Sequence, residues 1–142
     1  MSWLTTAFAT VNDVAVLSAP GSAPRVIAAG VLFFEASALA VATLAYVTLA
    51  VVDDGESREF LIGIAVLSVL GALALGFAGR GLAKSQRWAI APSLTWQVLQ
   101  GFVGAWVLST GPWGLALGLL VPAAIGAVAL VLTARATAAS IG

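Results

Sequence analysis

The sequence has no cysteine, no histidine and no methionine other than Met1. These absences exclude disulfide bonds, zinc sites built from cysteine and histidine, and the usual protein ligands of haem iron. They also remove the most common general base and the thiol nucleophile. We therefore expect no enzymatic activity, no cofactor and no metal site in this chain alone.

Charged residues are also scarce. They make up 8% of the 142 residues, whereas a soluble domain carries about 25%. Hydrophobic residues make up 61% of the chain, and the mean hydropathy is +1.09. Because so few polar side chains cannot cover a water-facing surface, we predict a single-domain, multi-pass protein of the plasma (inner) membrane, residues 1–142. The chain has no basic tract, so nucleic acid is not expected as a partner.

Apolar runs separated by turn residues predict an all-α fold, a transmembrane four-helix bundle. A helix needs about 20 apolar residues to cross the hydrocarbon core of a membrane. The predicted helices cover about residues 25–52, 60–79, 89–109 and 112–134. Gly79 and Gly81 are expected to end the second helix, since glycine often follows the last helical turn.

Residues 1–24 form an N-terminal arm before the first predicted helix. Four apolar residues recur there at helical spacing: Leu4, Phe8, Val11 and Ala15. This spacing fits a short helix lying in the membrane interface, and an irregular arm packed on the bundle fits equally well. No Lys or Arg precedes the apolar part, so a cleaved signal peptide is not expected.

The basic residues predict the orientation of the helices. Five of the six lie near helix ends on one side of a four-helix arrangement: Arg25, Arg80, Lys84, Arg87 and Arg135. Since basic residues favour the cytoplasmic side, both termini are expected to be cytoplasmic. The turn that carries Arg80, Lys84, Arg87 and Trp88 is expected to set this topology and to contact membrane lipids.

The acidic residues between the first two helices form one loop. Residues 52–59 hold four carboxylates and one arginine. Close carboxylates can bind calcium, but the spacing of an EF-hand is missing, so we favour a solvated loop.

Glu35 is the only carboxylate inside a predicted membrane helix. A charge at the centre of a membrane helix costs about 2.5–3.5 kcal/mol on insertion scales, so Glu35 must be neutral, paired or near the surface. Counted from Arg87, the matching depth on the third helix is Gln97, or Gln100 if that helix starts only at Pro92. We expect an interhelical hydrogen bond between the carboxyl and one of these amides.

Two interpretations of these intramembrane polar residues remain open. In the functional one, Glu35 binds a proton or cation, or Gln97 and Gln100 bind a quinone or a lipid headgroup. In the structural one, Glu35 is a polar clamp or contacts a partner subunit. A transport path normally has more polar residues than these helices provide, so we favour the structural interpretation.

Small residues recur every four positions in two of the predicted helices. Such stripes let helices approach closely in a membrane, where lipid is as apolar as leucine. The predicted helix-packing residues are Ser68, Ala72 and Gly76 in the second helix, and Gly114, Gly118, Pro122 and Gly126 in the fourth. Most such stripes pack within a bundle, but one of these two could face another protein.

The stretch from Arg80 to about Thr133 contains several short motifs. They read Arg80-Gly-Leu-Ala, Arg87-Trp88, Pro92, Thr95-Trp96-Gln97-Val98-Leu99 and Gly111-Pro112-Trp113-Gly114-Leu115. These motifs resemble those of a family of small four-helix integral membrane proteins of actinobacteria. The resemblance implies an actinobacterial source and the four-helix fold, and it implies little about function.

The expected function is that of a non-catalytic structural or accessory subunit of a larger membrane complex, with other integral membrane subunits as partners. Small membrane subunits occur in the actinobacterial cytochrome bcc–aa3 respiratory supercomplex, which is an analogy of size and type. The alternatives are a factor that binds its partner transiently and a small proton-coupled transporter that works as an oligomer, with Glu35 as the titrating group. Small multidrug resistance transporters also have four helices and one membrane carboxylate in the first helix. This chain is longer, has the added arm and carries its glycine repeat in the fourth helix.

Overall fold

The computed structural model describes residues 22–52, 55 and 57–139 of the chain. This part folds into four helices: α1 (Ser22–Val52), α2 (Ser57–Ala83), α3 (Ile90–Thr110) and α4 (Trp113–Ala139). A short 3-10 turn, Arg87–Ala89, leads into α3. The predicted all-helical class is confirmed. Residues 1–21 of the predicted arm lie outside the described residues, as do three of the four carboxylates of the acidic loop, so those two predictions stay predictions.

Three of the helices are long and apolar enough to cross a membrane. These are α1, α2 and α4, with 31, 27 and 27 residues and mean hydropathies of 2.0, 2.5 and 2.6 over their most apolar segments. At about 1.5 Å of rise per residue, each exceeds the roughly 30 Å of a hydrocarbon core. The 21 residues of α3 also reach that length, but α3 is less apolar because of its glutamines and hydroxyl residues.

The four helices run alternately in opposite directions. Arg25, in the first turn of α1, donates a hydrogen bond to the hydroxyl of Ser85, which follows α2, with 2.7 Å between Nη1 and Oγ. Thr133 and Thr137, near the end of α4, line a cavity together with these two residues. The start of α1, the end of α2 and the end of α4 therefore meet at one end of the molecule.

The buried apolar core is concentrated toward this end. It consists of small and branched residues from α1, α2, α4 and the 3-10 turn: Ala28, Ala29, Leu32, Leu75, Ala78, Leu82, Ala89, Ala129 and Leu130. Partly buried residues of α3 pack against it. Small residues let the backbones approach, and dispersion between closely packed atoms then holds the helices together. Here α1 packs along α2 and also contacts α4, while α3 packs along α4.

The second helix does not end at its glycines. It continues through Gly79 and Gly81 to Ala83, so the prediction that they terminate it was wrong. Both glycines are buried. A Cβ on Gly81 would lie 2.8 Å from the Cβ of Ala89 and 3.0 Å from the Trp88 ring. These glycines let neighbouring backbone pass close by, which is their common use in membrane helices.

The second helix ends instead in a Schellman motif centred on Ser85. The Gln86 N–H donates to the carbonyl of Gly81, and the Ser85 N–H donates to the carbonyl of Leu82, both at 2.9 Å. This motif requires a left-handed residue, usually glycine, just after the helix. Ser85 takes that conformation with φ of 60°, which costs a residue with a Cβ more than it costs glycine.

The predicted small-residue stripe of α2 is not the face that packs on α1. A Cβ on Gly76 would meet nothing within 4 Å, whereas one on Gly71 would lie 3.0 Å from the Leu39 side chain. The buried residues Leu75, Ala78 and Leu82 continue the face that starts at Gly71. Their spacing of four, three and four keeps them facing a neighbouring helix, whereas a strict spacing of four rotates by about 40° per step. Ser68, Ala72 and Gly76 are consequently only half-buried.

The same rotation divides the glycine repeat of α4. Gly126 is buried against Gln97, but a Cβ on Gly114 or Gly118 would meet nothing within 4 Å. The twelve residues between Gly114 and Gly126 turn the helix by about 120° beyond whole turns. Among the residues that the structure describes, close packing against this repeat is therefore found at Gly126 alone, and Pro122 between the two halves is half-buried. Gly114 and Gly118 are exposed and stay available to another molecule.

Candidate functional site

The candidate site is built around Glu35, near the middle of α1. The carboxyl side chain is buried, with 5% of its surface exposed. Glu35 lies ten residues after Arg25, which is about 15 Å deeper along the helix axis. If α1 crosses a membrane, this depth places the carboxyl well inside the hydrocarbon region.

Two side chains of α3 donate hydrogen bonds to the same oxygen of Glu35. Trp96 Nε1 lies 3.1 Å from Oε2, and Gln97 Nε2 lies 3.0 Å from it. The hydrogen bond to Gln97 predicted from matching depth is therefore present. Trp96 was missed, although its indole N–H is a donor that needs a partner when buried. The depth count compares Glu35 only with the two amides of α3, so it does not include this indole.

These hydrogen bonds join two helices whose backbones make little direct contact. The extensive packing is between α1 and α2, between α3 and α4, and between α1 and α4. Glu35, Trp96 and Gln97 reach across the remaining gap between α1 and α3. A hydrogen bond between membrane helices contributes on average about 0.6 kcal/mol and up to about 1.7 kcal/mol. The pair therefore fixes the position of α3 relative to α1.

The fourth helix supplies the space that the Gln97 amide occupies. A Cβ on Gly126 would lie 2.6 Å from Gln97 Cδ and 2.8 Å from its Nε2. Only a residue without a side chain fits there. Gln100 serves a second contact between α3 and α4, donating to the carbonyl of Leu119 at 3.2 Å. The amide nitrogen of Gln97 thus donates to α1 and that of Gln100 donates to α4.

Two buried oxygen atoms of the site have no hydrogen-bond donor among the described residues: Glu35 Oε1 and Gln97 Oε1. A carboxylate has only acceptor oxygens, whereas a carboxylic acid has one O–H donor. Glu35 Oε2 already accepts two hydrogen bonds. A proton on Oε1 would therefore turn that atom into an O–H donor. Among the described residues, Glu35 is the one buried group that would gain a hydrogen-bond donor by binding a proton.

An apolar groove of about 250 Å³ lies beside Glu35. It is formed by α1, α3 and α4, and its wall includes Phe34, Leu99, Val103 and Leu119. Glu35, Trp96 and Gln100 are its polar members, and Gly118 and Pro122 close one side. Because Phe34, Leu99 and Gly118 are exposed, the groove opens on the surface that would face lipid.

The hydroxyl groups of the helices do not extend this polar site. Most donate to the carbonyl four residues earlier in their own helix, as Ser37, Thr43 and Thr48 do in α1 at 2.8 Å. Ser93 and Thr133 do the same in α3 and α4. Such bonds satisfy a hydroxyl in an apolar environment without any partner helix. Among the described residues, they leave the Glu35 cluster without a polar chain leading to either end of α1.

The basic turn is divided between two surfaces. Arg87 lines the cavity at the end of the bundle together with Arg25. Arg80 lies over a shallow surface groove beside Phe33 and Phe77, and Lys84 is exposed. Trp88 is also exposed, and its indole N–H donates to Gln86 Oε1 at 2.9 Å.

No protein-family model matches the chain, and no characterised protein and no solved structure is detectably similar to it. The resemblance of residues 80–133 to a family of actinobacterial membrane proteins therefore stays a prediction. What the protein does has to be argued from the geometry of its own residues.

Proposed function

We propose that this protein is a non-catalytic structural subunit of a larger membrane assembly. The observation that carries the proposal is the use of Glu35. Its Oε2 accepts two hydrogen bonds from α3, and the hydroxyls around it bond their own helices. A carboxyl used in this way stabilises the arrangement of α1 and α3, as the clamp interpretation requires.

The surface offered to a partner is the exposed glycine face of α4, Gly114 and Gly118. No described residue lies within 4 Å of a Cβ built at either position, so a helix of another subunit has room to pack closely there. Association in a membrane depends on such close approach, because apolar side chains gain little by leaving lipid. The assembly to examine first is a respiratory complex of the cytochrome bcc–aa3 kind, chosen by the analogy of subunit size.

A tagged chain purified from its native membrane in mild detergent should retain its partner subunits. Gly114→Leu, which places a bulky side chain on the exposed face, should reduce the retained partners by about tenfold, since it separates the helices. Gly63→Leu in α2 is the matched control, because a Cβ at Gly63 also meets nothing within 4 Å. Quantitative mass spectrometry of the eluted subunits measures both. Equal retention by the two variants would place the glycine face against lipid.

The orientation of the chain follows from its basic end. We place the start of α1, the 84–89 turn and the end of α4 in the cytoplasm, because five of the six basic residues lie there. In this arrangement α3 also crosses the membrane. Its buried polar residues Ser93, Gln97 and Gln100 face the bundle, and they lower its hydropathy without reaching lipid.

Cysteine labelling tests this orientation, since the natural chain has no cysteine. In intact cells, an impermeant maleimide should label Gly55→Cys and should not label Lys84→Cys until the membrane is opened. Both positions are exposed, so accessibility within the protein does not separate them. The reverse pattern would place the basic end outside.

A proton-coupled transporter is the second candidate function. The observation that favours it is the unpartnered pair of oxygens, Glu35 Oε1 and Gln97 Oε1, beside a groove that opens toward lipid. A carboxyl in that position can take up and release a proton if water reaches it. The two candidate functions therefore assign different roles to Glu35. Proton flux through the wild type and through a Glu35 variant decides between them.

A further inference from the structure

A second cavity, of about 340 Å³, lies at the basic end of the molecule and is separate from Glu35. Its wall is built from the start of α1, the end of α2, the turn into α3 and the last two turns of α4. Arg25, Ser85, Gln86 and Arg87 supply the polar part of the wall. Thr133, with 2% of its surface exposed, is the most buried polar residue of the wall. A cavity that joins four segments and two guanidinium groups has the composition of an anion site.

Arg25 is held at this cavity by a specific contact. Its Nη1 donates to Ser85 Oγ at 2.7 Å, across 60 positions of sequence. A guanidinium group has five N–H donors in a planar fork, and this bond uses one of them. The hydroxyl of Ser85 accepts from Arg25 and keeps its own hydrogen to donate. The two residues together present several donors in a fixed arrangement.

Ser85 has a backbone conformation that is unfavourable for a residue with a Cβ, and it nevertheless carries a side chain that binds Arg25. Ser85 occupies the left-handed position of the Schellman motif with φ of 60°, where glycine is the residue without steric penalty. Glycine there would end α2 equally well, but it would leave Arg25 without its acceptor. The side chain of Ser85 thus orients the Arg25 guanidinium.

Two further polar residues of the cavity, Gln86 and Arg87, can also donate. Gln86 Oε1 accepts from the Trp88 indole at 2.9 Å, which leaves the Gln86 amide hydrogens to donate. Arg87 adds the second guanidinium. Thr133 Oγ1 donates its own hydrogen to the carbonyl of Ala129, so it closes the floor and is not a donor to a ligand.

No described carboxylate neutralises this end of the molecule. The described acidic residues are Glu35 and Glu59. Glu35 lies about 15 Å further along α1, and Glu59 lies in the first turn of α2, at the opposite end of the bundle. The positive charges of Arg25 and Arg87 are therefore unpaired within the described residues. Paired guanidinium groups favour ligands with several oxygens, above all phosphate.

From this geometry we infer that the cavity binds a phosphate group. Its charge would be shared by Arg25 and Arg87, and its oxygens would accept from Ser85 and Gln86. The cavity lies at the ends of three helices long enough to cross a membrane, and its wall includes the apolar side chains of Leu82 and Ile90. An anionic phospholipid has this combination of a phosphate and an adjoining apolar part, and basic pockets between membrane helices bind such headgroups.

The test uses the full chain in nanodiscs of phosphatidylcholine, with phosphatidylglycerol added as the probe. Native mass spectrometry counts the phosphatidylglycerol molecules that stay bound as zwitterionic lipid is exchanged. The wild type should retain phosphatidylglycerol. The double variant Arg25→Gln/Arg87→Gln should bind it about tenfold more weakly, since charge-assisted hydrogen bonds are lost.

The matched control is Arg80→Gln/Lys84→Gln. It removes the same charge from the same end of the protein, but neither residue lines the cavity. An equal loss of affinity in both double variants would mean that lipid is attracted by surface charge alone, and it would overturn the proposal. The absence of both phosphatidylglycerol and inorganic phosphate binding by the wild type would overturn it as well.

A single variant keeps the test valid if the double glutamine variant fails to fold. Ser85→Gly retains the helix end and all charges but removes the acceptor that orients Arg25. It should keep the helical content of the wild type by circular dichroism and bind phosphatidylglycerol about threefold more weakly. Unchanged affinity in a folded Ser85→Gly protein would contradict the assigned geometry.

A parallel measurement with inorganic phosphate identifies the source of the group. If phosphate ion raises the melting temperature of the detergent-solubilised wild type but not that of Arg25→Gln/Arg87→Gln, the site takes a soluble phosphate compound. If only phosphatidylglycerol raises it, in the same arginine-dependent way, the ligand is a lipid headgroup. If neither raises it, the cavity is not a phosphate site.

Discussion

Glu35→Ala should lower the free energy of unfolding by about 1–3 kcal/mol, because it leaves buried donors without an acceptor. The donors are Trp96 Nε1 and Gln97 Nε2, which both bond Glu35 Oε2. Glu35→Gln should stay within about 0.5 kcal/mol of the wild type, since an amide oxygen can accept both bonds.

Unfolding in mixed micelles of a mild detergent and dodecyl sulfate, followed by circular dichroism, measures these differences. A pair of tryptophan variants controls for loss of a donor. Trp96→Phe removes one hydrogen bond to Glu35 and should cost about 0.6–1.7 kcal/mol. Trp106→Phe, at an exposed position of the same helix, should be close to neutral. If Glu35→Ala is as stable as Glu35→Gln, the carboxyl is not a clamp.

Gly126→Ala is expected to destabilise the protein although alanine is the better helix former. The added Cβ would lie 2.6 Å from Gln97 Cδ, and Gln97 is buried and bonded to Glu35. Overpacking of this kind costs about 1–3 kcal/mol, and the better helix propensity returns at most about 1 kcal/mol. With the full return from helix propensity, we expect a net loss of up to about 2 kcal/mol, measured by the same unfolding method.

Gly114→Ala is the matched control in the same helix. Its Cβ would meet nothing within 4 Å, so the variant should be neutral or slightly more stable. A double variant isolates the clash: Gln97→Ala removes the side chain that Gly126→Ala would strike. The two changes together should cost less than the sum of their separate effects, because they act on one contact. If the two changes in the free energy of unfolding are strictly additive, the residue at position 126 does not clash with Gln97.

Much of the helical framework could be predicted from hydropathy, and the helix ends could not. The first helix starts at Ser22, before Pro24, because proline is tolerated in a first helical turn. The fourth runs past Arg135 to Ala139. The sequence alone does not show whether a glycine or a charged residue ends a helix or packs against a neighbouring helix. That depends on which helix lies beside it, as Gly81 beside Ala89 shows.

The hydrogen bonds of Glu35 could be predicted only in part, because they too depend on which side chains of the neighbouring helix face it. Depth matching identified Gln97 and Gln100 as candidates, because a count of residues along a helix locates a level along its axis. It did not separate Gln97 from Gln100, which depends on the direction in which each side chain points. Nor did it find the contact between Arg25 and Ser85. Nothing in the local sequence of Ser85 shows that α1 begins beside it.

The central claim is that Glu35 holds the bundle together and does not carry protons. The direct measurement is proton flux into sealed vesicles that contain the purified chain, driven by a pH gradient and reported by an internal pH-sensitive dye. Wild type and Glu35→Gln should both give the leak rate of empty vesicles, while Glu35→Ala differs from them only in stability. Proton flux through the wild type that disappears in a correctly folded Glu35→Gln protein would contradict the claim and establish the transporter.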